Sequence, residues 1–438
     1  MESYFIWIIT VFLVLVIFVP YYIKFRKQQK ADIERKQEAQ SLGIDRPRAQ
    51  FPFINDLYCI GCGSCVEACP EGDVLGVVFG KARVINGLRC VGHGACEKVC
   101  PVGALEVGLG DIKTRDDIPI LSEANETTVP GLYIAGELGG LSLIRNATAH
   151  GRKAVENIAL DSQRAQSKHV KDVIIVGAGP AGMSASLTAI QNDLSYLLID
   201  QQEPGGTILQ YPRKKLVMTQ KFEIPLYGWL KHAEYSKEEL LDIWQTIIGK
   251  YKVNYLTQHR MQTVVKPNGH FKVITNQGEF EGRKVILAMG RRGTPRKLGV
   301  PGEDMSKVAY QLIDAQSYTN DHILVVGGGD SAAEAAIGLA RQKGNKVTLS
   351  YRKNKLFRIK KKNEDRINEM INSRKITPLF NSNVLEIREK SVVLQQTEEN
   401  VTEIPNDYIF VFAGGIPPFK MLKEMGIQFG GDAGRNLA

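Results

Sequence analysis

Cysteine is absent from most of this sequence of 438 residues. All seven cysteines lie between Cys59 and Cys100, and the 338 residues after Cys100 contain none. Such clustering excludes a disulfide framework distributed over the chain. It favours a metal site in a protein that works in a reducing compartment.

Charge is absent from one stretch near the start of the chain, residues 4–23. This apolar run has the length that a helix needs to cross a bilayer core. Glu2 is the only charged residue before this run, whereas four basic residues follow it closely: Lys24, Arg26, Lys27 and Lys30. We therefore expect a single-pass membrane protein with its N-terminus outside and its bulk cytoplasmic. A cleaved signal peptide is the alternative, but no basic region precedes the apolar run and no small-residue cleavage site follows it.

A nucleic-acid signature is also lacking. The net charge is +9, but the basic residues are widely spread and no aromatic and basic module accompanies them. We expect no nucleic-acid partner. With 43% hydrophobic and 24% charged residues the composition is that of an ordinary globular protein, and the length suffices for two or three domains.

The cysteines form two loops of similar spacing. CIGCGSCVEACP, residues 59–70 (the first cysteine loop), has the CxxCxxCxxxCP spacing with which thiolates surround a [4Fe-4S] cubane. CVGHGACEKVCP, residues 90–101 (the second cysteine loop), repeats this spacing with His93 in the second ligand position. The pair resembles a two-cluster bacterial ferredoxin over residues 55–110.

The resemblance implies a ligand set for each cluster, because in that family the fourth cysteine of each loop serves the other cluster. One cluster would take Cys59, Cys62, Cys65 and Cys100, and the other Cys90, His93, Cys96 and Cys69. A neutral imidazole in place of a thiolate lowers the negative charge of a cluster and should raise its potential. We favour ligation by His93; a three-iron [3Fe-4S] cluster with His93 merely nearby, or an empty second site, are the alternatives.

After a polar linker, an apolar strand runs into a GxGxxG loop, followed by a helix and a second strand that ends in Asp200. Glycines in this order allow a tight turn and bring a pyrophosphate to the helix N-terminus, while the acid can accept a hydrogen bond from a ribose hydroxyl. The predicted cofactor-binding residues are Gly177, Gly179, Pro180, Ala181, Gly182 and Asp200.

The same order of elements recurs around residues 322–353, but its second strand ends at Ser350 where an acid would be expected. Basic residues follow instead, and guanidinium groups suit a 2′-phosphate, so we favour NADPH over NADH at this second site. A solvated basic face is the alternative for each basic residue. The predicted cofactor-binding residues are Gly327, Gly329, Asp330, Ser331, Ala332, Arg352, Lys353 and Arg358.

Two such units, with the segments VILAMGRRGTPRKLGVPGE, PRKKLVMT and FVFAGGIPPF, resemble thioredoxin-reductase-like flavoproteins, nearest to the bacillithiol disulfide reductase-like group. The resemblance implies FAD in the first unit, with Gly205, Gly206 and Gly290 against it, and NAD(P)H in the second. A CxxC pair is missing from the second unit. Thioredoxin reduction by the usual route is therefore excluded, because a protein dithiol has to attack the disulfide.

Flavoproteins of this class end with a segment like TVPGLYIAGE and a helix aimed at the flavin. Here that segment lies at residues 126–159, before the first GxGxxG loop, which indicates a circular permutation. By resemblance Gly136 and Glu137 contact FAD, and a helix from about Ser142 directs its positive end at the flavin. His150 in this helix is interpreted as structural. The permutation joins the ferredoxin unit to a flavin-contacting segment through a short tether.

The expected fold class is α/β, with two Rossmann-like domains, an N-terminal α+β ferredoxin-like domain and one transmembrane helix. The expected domains are a transmembrane helix (1–23), a cytoplasmic juxtamembrane linker (24–54), the ferredoxin domain (55–110), the permuted FAD segment (111–160), the FAD domain (172–292), the NAD(P)H domain (293–415) and a return to the FAD domain (416–438).

The predicted function is that of an enzyme, a membrane-anchored oxidoreductase that passes electrons between NADPH, FAD and two [4Fe-4S] clusters. No side chain is predicted as a general acid or base. The partner is a redox protein or small electron acceptor, and homodimerisation follows from the resemblance alone. The alternatives are a flavin-dependent reductase of a small oxidised substrate, such as a low-molecular-weight disulfide, and a non-catalytic membrane redox sensor.

Overall fold

The computed structural model describes residues 2–41, 51–109, 115–141, 143–167, 169–218, 221–232, 234–267, 269–291, 293–396 and 400–433. The chain divides into two compact units. The first comprises residues 1–110 with 360–362, and the second comprises 111–359 and 363–438. The predicted boundary at 110/111 and most of the linker's second half, 42–50, lie outside the described residues.

The first unit is built from short paired strands around the cysteines. Its elements are α1 (Glu2–Ser41), β1 (Phe51–Ile54), α2 (Ser64–Glu67), β2 (Leu75–Val78), β3 (Lys81–Val84), α3 (Ala95–Lys98) and β4 (Leu105–Gly108). β1 pairs antiparallel with β4, and β2 forms a hairpin with β3. Gly63 and Gly94 precede α2 and α3 with almost the same left-handed backbone, φ 80° and 74°. The two cysteine loops therefore adopt matching conformations, as two halves of one pseudo-symmetric domain would.

Helix α1 extends beyond the predicted membrane span, into a segment for which a surface helix or a spacer was expected. Part of it is long and apolar enough to cross a membrane, but the helix continues without a break from the predicted span into the predicted linker and ends at Ser41. The side chains of Asp32 and Ala39 are buried against the first unit. Residues 24–41 contain neither proline nor glycine, so nothing in the sequence stops the helix earlier.

The second unit begins with a seven-stranded mixed sheet. Its strands are β5 (Leu132–Ile134), β6 (Val170–Val176), β7 (Tyr196–Ile199), β12 (Tyr255–Leu256), β13 (Met261–Val265), β14 (Phe271–Thr275) and β15 (Gly278–Leu287). The order is β12-β7-β6-β15-β14-β13, and β5 also pairs with β15. β12, β7, β6, β15 and β5 are parallel, whereas β13 and β14 are antiparallel.

Both faces of this sheet are covered. β6 is apolar at consecutive positions because Val173 and Ile175 face one core cluster while Ile174 and Val176 face another. The helices are α4 (Ile144–Ala159), α5 (Pro180–Gln191) and α6 (Lys237–Tyr251), and β8 (Leu216–Met218), β9 (Phe222–Ile224), β10 (Gly228–Leu230) and β11 (Glu234–Ser236) form two small hairpins.

A second, five-stranded parallel sheet follows in the order β17-β24-β18-β19-β20. The remaining elements are β16 (Thr294–Pro295), β17 (Val308–Ala309), β18 (His322–Val326), α7 (Asp330–Ala340), β19 (Lys346–Tyr351), α8 (Lys361–Asn372), β20 (Ile376–Phe380), β21 (Asn383–Ile387), β22 (Ser391–Gln395), β23 (Val401–Pro405), β24 (Tyr408–Val411), β25 (Gly415–Ile416), α9 (Phe419–Glu424) and α10 (Gly430–Ala433). The two-stranded ribbon of β16 and β25 joins this sheet to the first one. Two α/β sheets are what the sequence predicted.

The chain's end returns to the first sheet. Leu422, Ile427 and Phe429 share a core cluster with Leu132 of β5 and Ile174 of β6. The backbone amide of Ile120 donates to the Gln428 carbonyl at 2.9 Å, and Gly430 donates to Ile118 at 3.2 Å. Residues that precede the first GxGxxG loop and residues from the end of the chain thus belong to one core.

Candidate functional site: two dinucleotide loops and two cysteine loops

The first dinucleotide loop, residues 177–182, connects β6 to α5 and is tightly closed. A Cβ on Gly182 would lie 1.8 Å from the carbonyl oxygen of Gly177. A Cβ on Gly177 would lie 2.5 Å from the oxygen of Ala288, and the residue has φ +109°. Only glycine fits at these two positions, so the backbone approaches itself as a pyrophosphate loop requires.

Asp200 follows β7 and lies against this loop. Its carboxylate accepts hydrogen bonds from the backbone amides of Ala178 at 2.6 Å and Gln202 at 2.8 Å. Burial raises the pKa of Asp200 and outweighs these hydrogen bonds. A half-buried acid at the end of the second strand is the arrangement in which ribose hydroxyls are bound.

Two further predicted segments meet the same loop. The amide of Gly205 donates to the Ala178 carbonyl at 2.9 Å, and a Cβ on Gly206 would lie 2.8 Å from the Cα of Gly179. Gly290, two residues after Ala288, has φ +73°, and no heavy atom of the described residues lies within 4 Å of where its Cβ would be. The structure therefore brings Gly205 and Gly206 onto the loop and leaves space beside Gly290.

The segment 126–159, which precedes the first dinucleotide loop in the chain, also reaches this site. β5 pairs with β15, and Gly136 follows it with φ +86°, where a Cβ would lie 3.3 Å from the Cβ of Ala181. Glu137 is exposed. A Cβ on Gly151 of α4 would lie 2.1 Å from the Ala181 oxygen, so α4 packs closely on α5. Gly136, Glu137 and the start of α4 are thus gathered beside the start of α5.

The helices that meet the predicted cofactors begin at residues whose side chains cannot cap them. α4 begins after Leu143, α5 after Gly179 and α7 after Gly329, whereas α6 has a complete capping box of Ser236 and Glu239. Amides at an uncapped helix N-terminus can bind an anion, and the helix dipole favours this. These three N-termini fit phosphate groups or a reduced flavin. Ser142, the predicted start of α4, lies outside the described residues.

His150 lies on α4 beside Gly136, and burial lowers its pKa. Its Nδ1 atom is buried and has no hydrogen-bond partner among the residues that the structure describes. The lowered pKa favours the neutral form of the imidazole. The interpretation of His150 as structural stays a prediction.

The second dinucleotide loop, residues 327–332, joins β18 to α7 and is more open. Gly327 has φ +147°, and its Cβ would lie 2.6 Å from the Phe412 oxygen. No heavy atom lies within 4 Å of a Cβ on Gly329, and Ala332 is accommodated in a fully buried position. Asp330 accepts a hydrogen bond from the Asn363 amide at 2.8 Å, while Ser331 is exposed.

The end of β19 differs in one residue from the prediction. Ser350 is fully buried, and its hydroxyl is bonded to that of Ser382 at 2.7 Å, so it faces the interior. The strand ends at Tyr351, whose ring lies where a Cβ on Gly328 would be, at 2.1 Å. Sequence reasoning missed Tyr351, although an aromatic residue just before the basic run was a usable signal.

The predicted basic residues of the second site all reach solvent. Arg352, Lys353 and Arg358 are exposed, and the Arg358 guanidinium lies over the Phe357 ring at 5.5 Å from its centroid. Arg352 and Lys353 come directly after β19, at the carboxyl edge of the parallel sheet where α/β folds bind their ligands. They fit an additional phosphate on a dinucleotide.

Around the first cysteine loop the thiols are close to one another and partly buried. Burial raises the pKa of Cys65 to about 11, with Cys96, Cys59 and Cys62 contributing. The Sγ atoms of Cys59 and Cys100 accept backbone hydrogen bonds from Ala82 at 3.4 Å and Ala104 at 3.2 Å. Amide hydrogen bonds to sulfur are the contacts that tune an iron–sulfur cluster.

The second cysteine loop borders a cavity. Its lining includes Cys69, Cys90, His93, Cys96 and Glu71. Burial raises the pKa of Cys96 to about 11, with Cys69 and Cys90 contributing. The structure thus brings together the four ligands predicted for the second cluster.

Glu71 is a residue that sequence reasoning missed in this cavity. It is buried, and its Oε1 lies 3.7 Å from His93 Nε2. Its place two residues after Cys69 was the available signal. A carboxylate can orient the imidazole of a metal ligand from the second coordination shell.

Among the described residues, no three of His, Cys, Asp or Glu come close enough to hold a single metal ion. A cubane lies between its thiolates and holds them farther apart than one ion does. Thiols arranged around a cavity fit a cluster better than a mononuclear site.

Comparison with known proteins identifies both parts of the chain. Residues 174–435 match the family model described as pyridine nucleotide-disulphide oxidoreductase, and residues 51–101 match the model of a 4Fe-4S dicluster domain. The first match covers more than half of the chain. The iron–sulfur and oxidoreductase character predicted from the motifs is confirmed.

Individual relatives cover the flavoprotein part. A ferredoxin–NADP reductase of Ignicoccus hospitalis is 28% identical over 60% of this chain and 83% of its own length. A thioredoxin reductase of Listeria innocua is 31% identical over 60% of this chain and 79% of its own. The solved bacillithiol disulfide reductase of Staphylococcus aureus has a TM-score of 0.52 and 27% identity over 59% of this chain and 80% of its own.

Proposed function

Since the chain belongs to the pyridine nucleotide-disulphide oxidoreductase family, we propose that it is a membrane-anchored enzyme that passes electrons between NADPH, FAD, two [4Fe-4S] clusters and a redox partner. One observation carries the proposal: two dinucleotide loops and two cysteine loops lie in a single polypeptide. A hydride donor, a flavin and one-electron carriers together make up an electron-transfer chain.

FAD exchanges electron pairs on one side and single electrons on the other, and the protein orients it and sets its environment. Gly177, Gly179 and Gly182 would hold its pyrophosphate at the N-terminus of α5, and Asp200 would accept from a ribose hydroxyl. The tight closure of this loop supports the assignment. Gly136 and Glu137 lie beside the start of α5, where they would contact the same cofactor.

NADPH is the proposed nicotinamide cofactor. Ser350 is buried and leaves no carboxylate at the end of β19, so a 2′-phosphate would meet no repulsion there. Arg352, Lys353 and Arg358 would bind the phosphate by charge-assisted hydrogen bonds. The exposure of all three side chains supports this role.

Two clusters would be held by eight residues in the crossed arrangement of two-cluster ferredoxins. The proximity of Cys69, Cys90 and Cys96 to His93 around one cavity supports the second set. Ligation by the neutral His93 would raise the potential of that cluster relative to an all-thiolate one.

A circular permutation is the proposed origin of the chain order. The pairing of β5 with β15 and the hydrogen bonds between residues 118–120 and 428–430 support it. The segment that contains β5 precedes the first dinucleotide loop in the chain. β5 nevertheless lies in the same sheet as the strands that flank this loop. Domain termini that lie close together permit such a rearrangement.

We further propose that α1 anchors the protein in a membrane, with its N-terminus outside and the two folded units in the cytoplasm. The apolar run of residues 4–23 is exposed over its described side chains, and four basic residues follow it. The partner is a redox protein or a small electron acceptor. A homodimer remains a proposal from family resemblance.

A second candidate is a reductase of a low-molecular-weight disulfide at the flavin, with the clusters as the electron inlet. The likeness to a bacillithiol disulfide reductase favours it. Neither function needs a protein dithiol in the second unit, where the sequence has no cysteine.

Anaerobic reduction assays with the purified full-length protein distinguish the candidates. We expect NADPH to bleach the flavin absorbance and a one-electron dye to be reduced afterwards. Cys62→Ser should abolish dye reduction while flavin bleaching by NADPH persists. Full dye reduction by Cys62→Ser would contradict the order proposed, and NADPH-dependent turnover of a small disulfide alone would favour the second candidate.

A further inference from the structure

Large apolar side chains surround the first cysteine loop on its solvent side. Four of them form what we name the apolar rim: Leu57, Tyr58, Ile60 and Phe79, which are 90%, 63%, 63% and 78% exposed. A Cβ on Gly61 would lie 2.0 Å from the Gly80 oxygen, so the loop and the tip of the β2–β3 hairpin touch. The loop that carries Ile60 and the turn that carries Phe79 are therefore neighbours, and exposed apolar surfaces of this kind mark binding sites.

Phe79 occupies an unfavourable position at the tip of that hairpin. Its φ is +51° and that of Gly80 is +71°, a turn whose two positions favour asparagine and glycine. A bulky residue with positive φ is a conformational outlier, and outliers of this kind collect at functional sites. The exposed ring gains nothing from the fold, so its benefit must come from something that covers it.

The helix that leaves the predicted membrane span is fixed to the same hairpin. Asp32 of α1 is 2% exposed, accepts the Val77 amide at 3.0 Å and pairs with Arg35. Arg35 also pairs with Asp73, which Arg89 contacts at 3.0 Å. Asp32 and Arg89 are the buried members of this network, and it is rigid because breaking their pairs would leave a buried charge without its partner.

These contacts also give the direction of β2. Asp32 meets Val77, whereas Arg35, one turn farther from the span, meets Asp73, which lies earlier along the chain. β2 therefore runs back towards the span, and Phe79 lies at the end nearest to it.

Distances along the two elements agree with contact at a lipid surface. Asp32 comes nine residues after Ile23, which is about 14 Å of helix. Phe79 lies two residues beyond Val77, about 7 Å back along a strand. The difference between these lengths places Phe79 about 7 Å from the end of the predicted span. This is close to the thickness of one headgroup layer, roughly 5–8 Å.

We propose that the apolar rim inserts into the cytoplasmic lipid surface and holds the first cysteine loop there. The ligand is a phospholipid bilayer, with Phe79 and Ile60 reaching the acyl boundary and Tyr58 at headgroup level, where tyrosine is enriched. The inference rests on the membrane anchoring of the proposed function. It adds that the exposed Cys62 faces the bilayer, so that electrons leave or enter at the membrane.

Photocrosslinking of the full-length protein in phosphatidylcholine and phosphatidylglycerol vesicles tests the proposal. A benzophenone amino acid replaces Phe79, and in separate variants Phe12 within the span or Gln40 near the far end of α1. We expect mass spectrometry to detect a phospholipid adduct with the probe at position 12 or 79 and none with the probe at position 40. An adduct at position 12 without one at position 79 would contradict insertion of the apolar rim but not the membrane anchor. The lack of an adduct at position 12 would contradict the membrane anchor itself.

A second variant separates lipid contact from folding. Phe79→Asn suits the left-handed turn, so we expect its unfolding temperature to equal or exceed that of the parent. With the benzophenone at position 60, Phe79→Asn should reduce the lipid adduct several-fold. An unchanged adduct, or one formed with a protein in place of lipid, would overturn the proposal.

Discussion

The two dinucleotide loops share one plan and differ in how closely they fold. In the first, a Cβ on Gly182 would collide with the Gly177 oxygen at 1.8 Å; in the second, Ala332 occupies the same position and is fully buried without conflict. The first loop also receives Gly206 from another segment, and a Cβ on Gly206 would lie 2.8 Å from the Cα of Gly179. A closed loop suits a cofactor that stays bound, and an open one suits a cofactor that exchanges.

The residues at the ends of β7 and β19 also differ between the two dinucleotide sites. The first loop has a half-buried acid, Asp200, which accepts a hydrogen bond from its backbone. The second has Tyr351 over the loop, followed by the exposed Arg352. The lesson is that a matching sequence pattern fixes where a dinucleotide lies, while the fit around it decides which one binds and how firmly.

The largest effect should come from exchanging the residue that distinguishes the loops. Gly182→Ala should lose FAD and destabilise the protein by about 3 kcal/mol, because the new methyl overlaps backbone that cannot retreat. Ala332→Gly is the matched control and should cost only about 0.5–1 kcal/mol with full FAD content. Flavin absorbance and thermal unfolding measure both, and equal effects of the two variants would contradict the comparison.

Asp200→Asn should lower FAD affinity by roughly tenfold, since a hydrogen bond to a charged group contributes about 1.5–3 kcal/mol. FAD binding to the apoprotein, followed by flavin fluorescence, measures this loss. Asp193→Asn, which removes a carboxylate from the turn before β7, is a suitable charge control.

The same variant gives a pH test in the FAD-free protein. Because burial raises the folded-state pKa of Asp200, this group adds stability below its unfolded pKa and loses it as pH rises through the folded pKa. The stability of the parent relative to Asp200→Asn should therefore fall as the pH rises above about 4, the ordinary pKa of an aspartate. Chemical unfolding at several pH values measures the difference, and parallel profiles would contradict it.

Arg352→Ala should raise the KM for NADPH by about tenfold and leave that for NADH unchanged, because only NADPH carries the 2′-phosphate. Arg341→Ala removes an equal charge at the opposite end of α7 and should change neither KM. Steady-state dye reduction with each nucleotide measures this. An equal loss with both nucleotides would place Arg352 outside phosphate recognition.

The smallest effect concerns the helix that does not meet a cofactor. Ser236→Ala removes the cap of α6, in which the Ser236 hydroxyl accepts from the Glu239 amide at 3.2 Å. We expect a loss of about 1 kcal/mol in the free energy of unfolding, with unchanged FAD content, and recovery in Ser236→Asp. Thermal unfolding with a flavin assay checks it, and loss of FAD would show that α6 supports the site.

Much of the two sites followed from sequence because a dinucleotide motif and a cysteine loop each define a local geometry. Gly177, Gly182 and Asp200 are brought together as their spacing predicts. The place of Gly136 beside α5 could come only from family resemblance, since β5 pairs with a strand about 150 residues away.

What the sequence did not reveal depended on tertiary contacts. The hydrogen bond between Val77 and Asp32 joins residues that are 45 apart in the sequence, and no periodicity in the sequence predicts it. The burial of Ser350 against Ser382 likewise required the fold. The continuation of α1 to Ser41 could have been predicted, because no helix breaker lies between Lys24 and Ser41.

The pairing of β5 with β15 has a consequence for biosynthesis. The ribosome makes residues 132–134 about 150 residues before their partner 285–287, and Ile120 about 300 residues before Gln428. At 5–20 residues per second these early segments wait roughly 8–60 s for the chain that completes their core. The nascent flavoprotein half thus keeps apolar surface open until translation is almost finished, which makes it a natural client for chaperones.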